Sequence, residues 1–299
     1  MSTLEKSTYF PAELAKEMFN KVTGHSSLAK VSGVEPMAFC GKDVFVFDFD
    51  SDVSIVGEAA PKPDGGASAV PVQIRPIKVV YQARVSDEFK KAAAEKQLEY
   101  LKEFSTGFQK KLGRALDLMA MHGINPASGT ASNIIGNNHL DYIIHNYLNG
   151  DNEITYAAAT VDANIEAAIA KVEDAEYEVN GVIMAPAARS AMAALTTDCG
   201  RAYPDFAFGS FPEKLGSGIM DVNATVSANS ASARVYVGDF ANAFRWGYAE
   251  NIPLEIIEYG NPDGGTYDLK QANQILLRGE AYIGWGFMNA ASFAEVKAS

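Results

Sequence analysis

The alternation of apolar and polar positions changes character twice along this chain. Val44-Phe-Val-Phe-Asp-Phe-Asp-Ser-Asp-Val53 alternates strictly and puts Phe45, Phe47, Phe49 and Val53 on one face of a strand. Glu58-Ala-Ala-Pro-Lys-Pro-Asp-Gly-Gly66 breaks regular structure, and Val70-Pro-Val-Gln-Ile-Arg75 resumes the two-residue period. The two strands form a long hairpin with Lys62 and Asp64 at its tip. At Arg75-Pro76 the phase flips, from even positions (Val70, Val72, Ile74) to odd ones (Ile77, Val79, Tyr81, Ala83, Val85). A proline blocks a ladder hydrogen bond, so its coincidence with a change of face predicts two environments. The outer hairpin projects beyond the domain, and the inner strand joins a sheet. An arm this apolar must lie on another molecule.

The period then lengthens. Ser86 is placed as an N-cap, and Asp87 and Glu88 suit the first turn of a helix. The stripe Phe89, Ala93, Leu98, Leu101, Phe104, Phe108, Leu112, Ala115, Met119 predicts a helix from Asp87 to Met121, about 50 Å long at 1.5 Å per residue. Its irregular mixture of three- and four-residue steps favours a helix laid across a sheet over a coiled coil. Gly107 and Gly113 weaken its middle, each by up to about 1 kcal/mol relative to Ala, and mark a place to bend.

Upstream, Phe10, Leu14, Met18 and Val22 make a short amphipathic helix opened by Pro11 and stopped by Gly24, followed by a strand around Val34 to Phe39. Residues 124–152 are rich in Gly, Asn and Ser. Beyond Thr160 the texture is α/β: a helix carrying Ile165, Ala168, Ile169 and Val172, a strand at Gly181–Met184, and a helix from Pro186 to Leu195. Strands follow at Arg234–Val237, Ile252–Tyr259 and Asn273–Trp285.

Composition adds mainly exclusions. The 299 residues are 47% hydrophobic and 21% charged, which fits a globular protein and not a disordered one. No run of eighteen apolar residues offers a membrane span, and the start lacks a secretory signal pattern. The net charge of −12 argues against a surface built to grip nucleic acid and predicts negligible binding of single subunits to duplex DNA at physiological salt. Cys40 and Cys199 lack metal-ligand spacing and read as two buried thiols. No phosphate-binding glycine loop, His-Glu-x-x-His or Gly-x-Ser-x-Gly is present. Asp48, Asp50 and Asp52 begin like a calcium loop, but Val53 and Ala59 stand where glycine and glutamate are needed, so they read as the polar side of the strand. The chain predicts no cofactor, no metal and no catalytic group.

Taken in order, these elements resemble the major capsid proteins of tailed double-stranded DNA bacteriophages, the Hong Kong 97-type fold shared with encapsulins. Local motifs carry the resemblance: Val182-Ile-Met-Ala-Pro186 before a helix, Asp198-Cys-Gly-Arg201, Val237-Gly-Asp-Phe240, and the closing strand Gln274 to Ile283 with Ala291–Phe293. The resemblance implies an α+β fold with an N-terminal arm (1–33), an E-loop hairpin (44–84), and a spine helix with a peripheral domain (85–150). An axial α/β domain (151–246), peripheral return strands (247–285) and a C-terminal segment (286–299) complete it. Subunit-interface residues are then Phe45, Phe47, Phe49, Lys62, Asp64, Val70 and Ile74 on the hairpin and Phe10, Leu14 and Met18 on the arm. Gly107 and Gly113 are the spine-helix bend.

The implied function is a structural shell of hexamers and pentamers around double-stranded DNA, held without sequence-specific binding and without membrane. A portal and a decoration protein are partners the family uses. Because the arm begins almost at Met1, a separate scaffolding protein, or none, is expected. Some relatives cross-link a Lys to a neighbour's Asn; Lys62 sits at the hairpin tip, but no specific Asn can be paired with it. The expected location is the virion, after assembly in the host cytoplasm. Two rivals stand beside this reading. An encapsulin-like nanocompartment would show an inner groove for a cargo peptide, and an α/β enzyme or ligand-binding protein using the Asp162–Leu195 region as a ligand domain would be a monomer or dimer.

Overall fold

The phase change at Pro76 separates two sheets. The computed structural model describes residues 25–49, 52–88, 94–147, 149–249 and 254–299. The arm positions Phe10, Leu14 and Met18, and also Phe89, Ala93 and Asp50, lie outside the described residues.

A one-turn-plus helix, α1 (Ser27–Val31), opens the described chain, with the Ser26 hydroxyl accepting from the Ala29 amide as its cap. The strand expected at Val34–Phe39 does not form. Pro36 has no N–H to contribute, and only Val34 makes a bridge, to Trp246. The segment still packs so closely there that a Cβ on Gly247 would sit 1.9 Å from the Glu35 carbonyl oxygen.

β1 (Lys42–Phe49) and β2 (Ala67–Ile74) pair antiparallel with each other, Phe47 opposite Ala69 and Val46 opposite Val70. Among the described residues they pair with no other strand. Residues 52–66 join them without regular structure. β3 (Ile77–Ser86) then pairs along its whole length with the long strand near the C-terminus. Ile77 and Val79 pack towards the core, so the odd-numbered face is the inner one, as the phase flip predicts.

The spine helix α2 is continuous over Ala94–His122, about 44 Å at 1.5 Å per residue, and runs unbroken through Gly107 and Gly113. Leu101 and Phe108 are buried along its earlier turns, whereas from Ala115 to His122 every position is buried. After α3 (Leu140–Tyr147) come β4 (Glu153–Thr155), α4 (Val161–Asp174), β5 (Gly181–Met184) and α5 (Pro186–Ala194). The short strands β6 (Thr196–Thr197) and β7 (Gly200–Arg201) form a small hairpin around Asp198 and Cys199. β8 (Lys214–Leu215), β9 (Gly218–Val222) and β10 (Ala233–Gly238) precede the short helix α6 (Phe240–Ala243). The chain closes with β11 (Phe244–Tyr248), β12 (Leu254–Ile257), β13 (Gln274–Phe287) and β14 (Phe293–Lys297).

One sheet joins β3, β13, β12 and β11; the other has the order β4-β14-β10-β5-β9-β8. The six-stranded sheet divides two cores. Val182, Met184, Val235 and Val237 face Val161, Ile165, Ala168 and Met192 of α4 and α5. On the other side Ile183, Tyr236 and Phe293 join α1, the spine helix and the Trp246–Trp285 pair of the second sheet.

Three further expectations need correction. The C-terminal segment is not a separate piece, because β14 inserts between β4 and β10 inside the α/β sheet. The boundary at 246/247 cuts through β11, which belongs with β13. Cys40 and Cys199 are exposed and free, not buried; each sits at a turn, where a small side chain has nothing to bury against.

Candidate assembly surface

Among the described residues, the hairpin carries the largest concentration of uncovered apolar side chains. Phe45, Phe47 and Phe49 are 62%, 64% and 72% exposed, and Val53 and Ile55 in the loop are fully exposed. A strand pair with no sheet or helix behind it has no core of its own, so both of its faces look outward. The register puts Phe45, Pro71, Phe47 and Ala69 on one face, and Val44, Val72, Val46 and Val70 on the other. Val70 is therefore opposite the phenylalanines, and the reverse face is apolar near the base instead of uniformly acidic. Lys62 and Asp64 are exposed on the loop.

Ile74 departs from expectation. It is only 2% exposed, and its side chain lies against Gly286 of its own β13. It closes the base of the hairpin and is not available to a neighbour. Gly107 lies on the exposed face of the spine helix with no atom near its missing Cβ, and Gly113 is buried.

Polar contacts add to this apolar packing in fixing the hairpin and the spine relative to the rest. Asp117 of α2 is fully buried and accepts from Ser26 Oγ (2.6 Å), the amides of Ser27 (3.0 Å) and Leu28 (3.2 Å), Asn223 Nδ2 (3.2 Å) and Thr225 Oγ1 (3.2 Å). Burial pushes its carboxyl up to about 6, against the pull of these donors. Asp221 of β9 likewise takes hydrogen bonds from Ser27 Oγ and Lys30 Nζ. At the hairpin base, Glu35 bridges Lys42 of β1 and Arg245 of β11, and the Lys42 hydrogen bond is the main cause of its lowered pKa.

A second cluster links the spine to the six-stranded sheet. His122 bonds Asp141 of α3 at 2.7 Å and the Thr225 carbonyl at 2.9 Å, and Tyr236 donates to the other Asp141 oxygen. Burial works against a charge on His122, but Asp141 raises its pKa overall. Glu295 of β14, opposite both Tyr236 and Glu153, is raised well above an ordinary glutamate by burial and then by the Asp141 charge. Lys297 Nζ and His145 both engage Glu153. Sequence reading missed Asp117 and Glu295. Their signal was a lone carboxylate within an apolar run, Ala115-Leu-Asp-Leu-Met-Ala-Met121 and Phe293-Ala-Glu-Val296.

The fold as a whole recurs in known proteins. The sequence pattern of the phage capsid family matches residues 8–298. A solved structure from Mycobacterium phage Ogopogo is 30% identical, with a TM-score of 0.74 over 92% of both chains. One from Gordonia phage Cozz is 22% identical, with a TM-score of 0.72 over 92% of this chain and 87% of that one. The capsid of a native GTA particle shares the fold at 14% identity, with a TM-score of 0.61 over 91% of this chain and 90% of that one. No curated protein matches the sequence. With the match spanning nearly its whole length, the chain belongs to the phage capsid family and is a structural major capsid protein of the Hong Kong 97-type fold, self-assembling into the virion shell.

Proposed function

We propose that this chain builds hexamers and pentamers of an icosahedral head around double-stranded DNA, and that the β1–β2 hairpin is the element that laps each subunit over its neighbour. The uncovered phenylalanine face carries this reading. Burying a Phe side chain is worth about 1.5–3 kcal/mol, so Phe45, Phe47 and Phe49 together supply a large share of a contact's driving force. Closed symmetry covers every such hairpin and leaves no exposed edge.

The subunit's role is mechanical, without a catalytic step. A scaffolding protein, a portal and a decoration protein are the partners that the family relationship suggests, with assembly in the host cytoplasm. The arm residues Phe10, Leu14 and Met18 serve as a second apolar contact, and Lys62 and Asp64 meet the neighbour at the hairpin tip.

The test is Phe47→Asp. A soluble, folded subunit that no longer forms shells tens of nanometres across is the expected result. Normal particle yield from that variant would remove the hairpin from the assembly contact.

A further inference from the structure

One cluster of basic residues is left over by everything above. His25, just ahead of α1, comes beside Lys110, Lys111 and Arg114 of the spine helix, and the four line an open recess of about 200 Å³ floored by Asn223 and Thr225. All four are solvent-exposed, and among the described residues none makes an ion pair with a carboxylate. The chain has 37 acidic and 25 basic residues, so partners were abundant. Like charges at i and i+4, as in Lys110 and Arg114, repel within a helix, so the cluster opposes folding unless something answers it. Asp117 lies beyond the floor, and five hydrogen-bond donors already engage it.

We infer that this recess is a phosphate-binding site that contacts the backbone of the DNA enclosed by the shell. The lining is wholly polar or charged, which suits a compact anion and gives an acidic peptide no apolar anchor. Arg and Lys are the side chains that hold phosphodiesters in position without reading sequence. Glu99 and Glu103 lie on the same face of the helix, two to three turns away, and limit the basic surface to the recess. Within a subunit of net charge −12, the contact is local and weak, a handhold and not a means of capture. This inference rests on the proposed enclosure of DNA.

The test compares the wild type with the triple variant Lys110→Gln, Lys111→Gln, Arg114→Gln, whose side chains are exposed and whose folding is checked by thermal unfolding. Purified subunits are titrated with a short duplex oligonucleotide across salt, and separately with inorganic phosphate. Each phosphate neutralised adds about −0.9 to the slope of log affinity against log salt, so three give about −2.7. That slope weakens binding about 200-fold between roughly 20 mM and 150 mM salt. The variant should lose at least tenfold in low-salt affinity, with a slope near zero. In particles, Lys110 and Lys111 should acetylate more slowly when DNA fills the shell than when it is empty.

An unchanged slope in the variant, or equal acetylation in full and empty particles, overturns the inference. Binding of inorganic phosphate without duplex binding makes the recess a site for the free anion and overturns the DNA contact. A variant that binds DNA normally but fails to assemble places an acidic segment of a second copy in the recess, and the inference falls while the shell reading stands. Wild-type protein that forms no shell at all would sink the shell reading itself.

Discussion

Ser26 Oγ donates a 2.6 Å hydrogen bond to Asp117, tying together residues 91 positions apart. The same carboxylate engages two amides of α1, so it caps that helix from outside. It also holds Asn223 and Thr225, whose segment follows β9 of the six-stranded sheet. One side chain thus fixes where α1 sits, where the spine lies and where the sheet meets it.

Asp117→Ala therefore leaves several buried donors without an acceptor. Each such orphan costs about 1–3 kcal/mol, so a loss of about 3 kcal/mol or more is expected. Chemical unfolding of unassembled subunits reads this directly. A loss below about 1 kcal/mol would mean that water replaces the carboxylate and that the cluster is not a structural bolt.

The hairpin, the spine and the α/β region were legible because each has a period that solvent enforces: alternation in β1 and β3, a 3.6-residue stripe in α2. Asp117 was not, since a carboxylate in an apolar run announces burial but not its partners, which lie about a hundred residues away on either side. The place of β14 was hidden for a similar reason. Phe293–Lys297 reads as a strand end anywhere in the chain, and only long-range pairing with β10 and β4 puts it inside the α/β sheet. At Val34–Phe39 propensity misled: Pro36 allows the segment to lie along β11 but not to build a ladder. Ile74 was misjudged because the hairpin's alternation continues into its base, where the same face meets its own subunit.

The two hairpin faces make separate predictions. Val70 lies on the face opposite the phenylalanines and is more than half exposed. Val70→Asp should reduce shell yield at least tenfold, comparable to Phe47→Asp, because a hairpin sandwiched in a shell buries both faces. Normal particles with Asp at 70 alone would show that only the phenylalanine face is covered. Particle counts by electron microscopy, alongside the circular dichroism of the subunit, separate assembly from folding.

Glu295 makes the subunit sensitive to pH. Its pKa is raised in the fold, by burial first and by the Asp141 charge next, from an ordinary value near 4.5. A carboxyl of this kind contributes stability that is complete below its unfolded pKa and fades as pH rises through the folded one. The wild type should thus lose stability between about pH 5 and pH 9 more steeply than Glu295→Gln, by about 1 kcal/mol or more. Parallel pH profiles for the two proteins would show that Lys297 and the surrounding groups already accommodate the charge.

The spine glycines give the last prediction. Gly107 is exposed, and a methyl group there meets nothing, so Gly107→Ala removes unfolded-chain entropy and adds helix propensity without a steric penalty. The unassembled subunit should gain about 0.5–1 kcal/mol. If α2 serves only as a beam, assembly and expansion of the shell are unaffected by that gain. We propose instead that the helix bends near Gly107 and Gly113 in an assembly precursor and straightens on maturation. A bent state uses the backbone freedom of glycine, so alanine at both positions should favour the straight form and perturb expansion. Electron microscopy of immature and mature particles measures the helix curvature itself. Equal curvature in both, with the double variant expanding as the wild type does, would leave the glycines without a part in the transition.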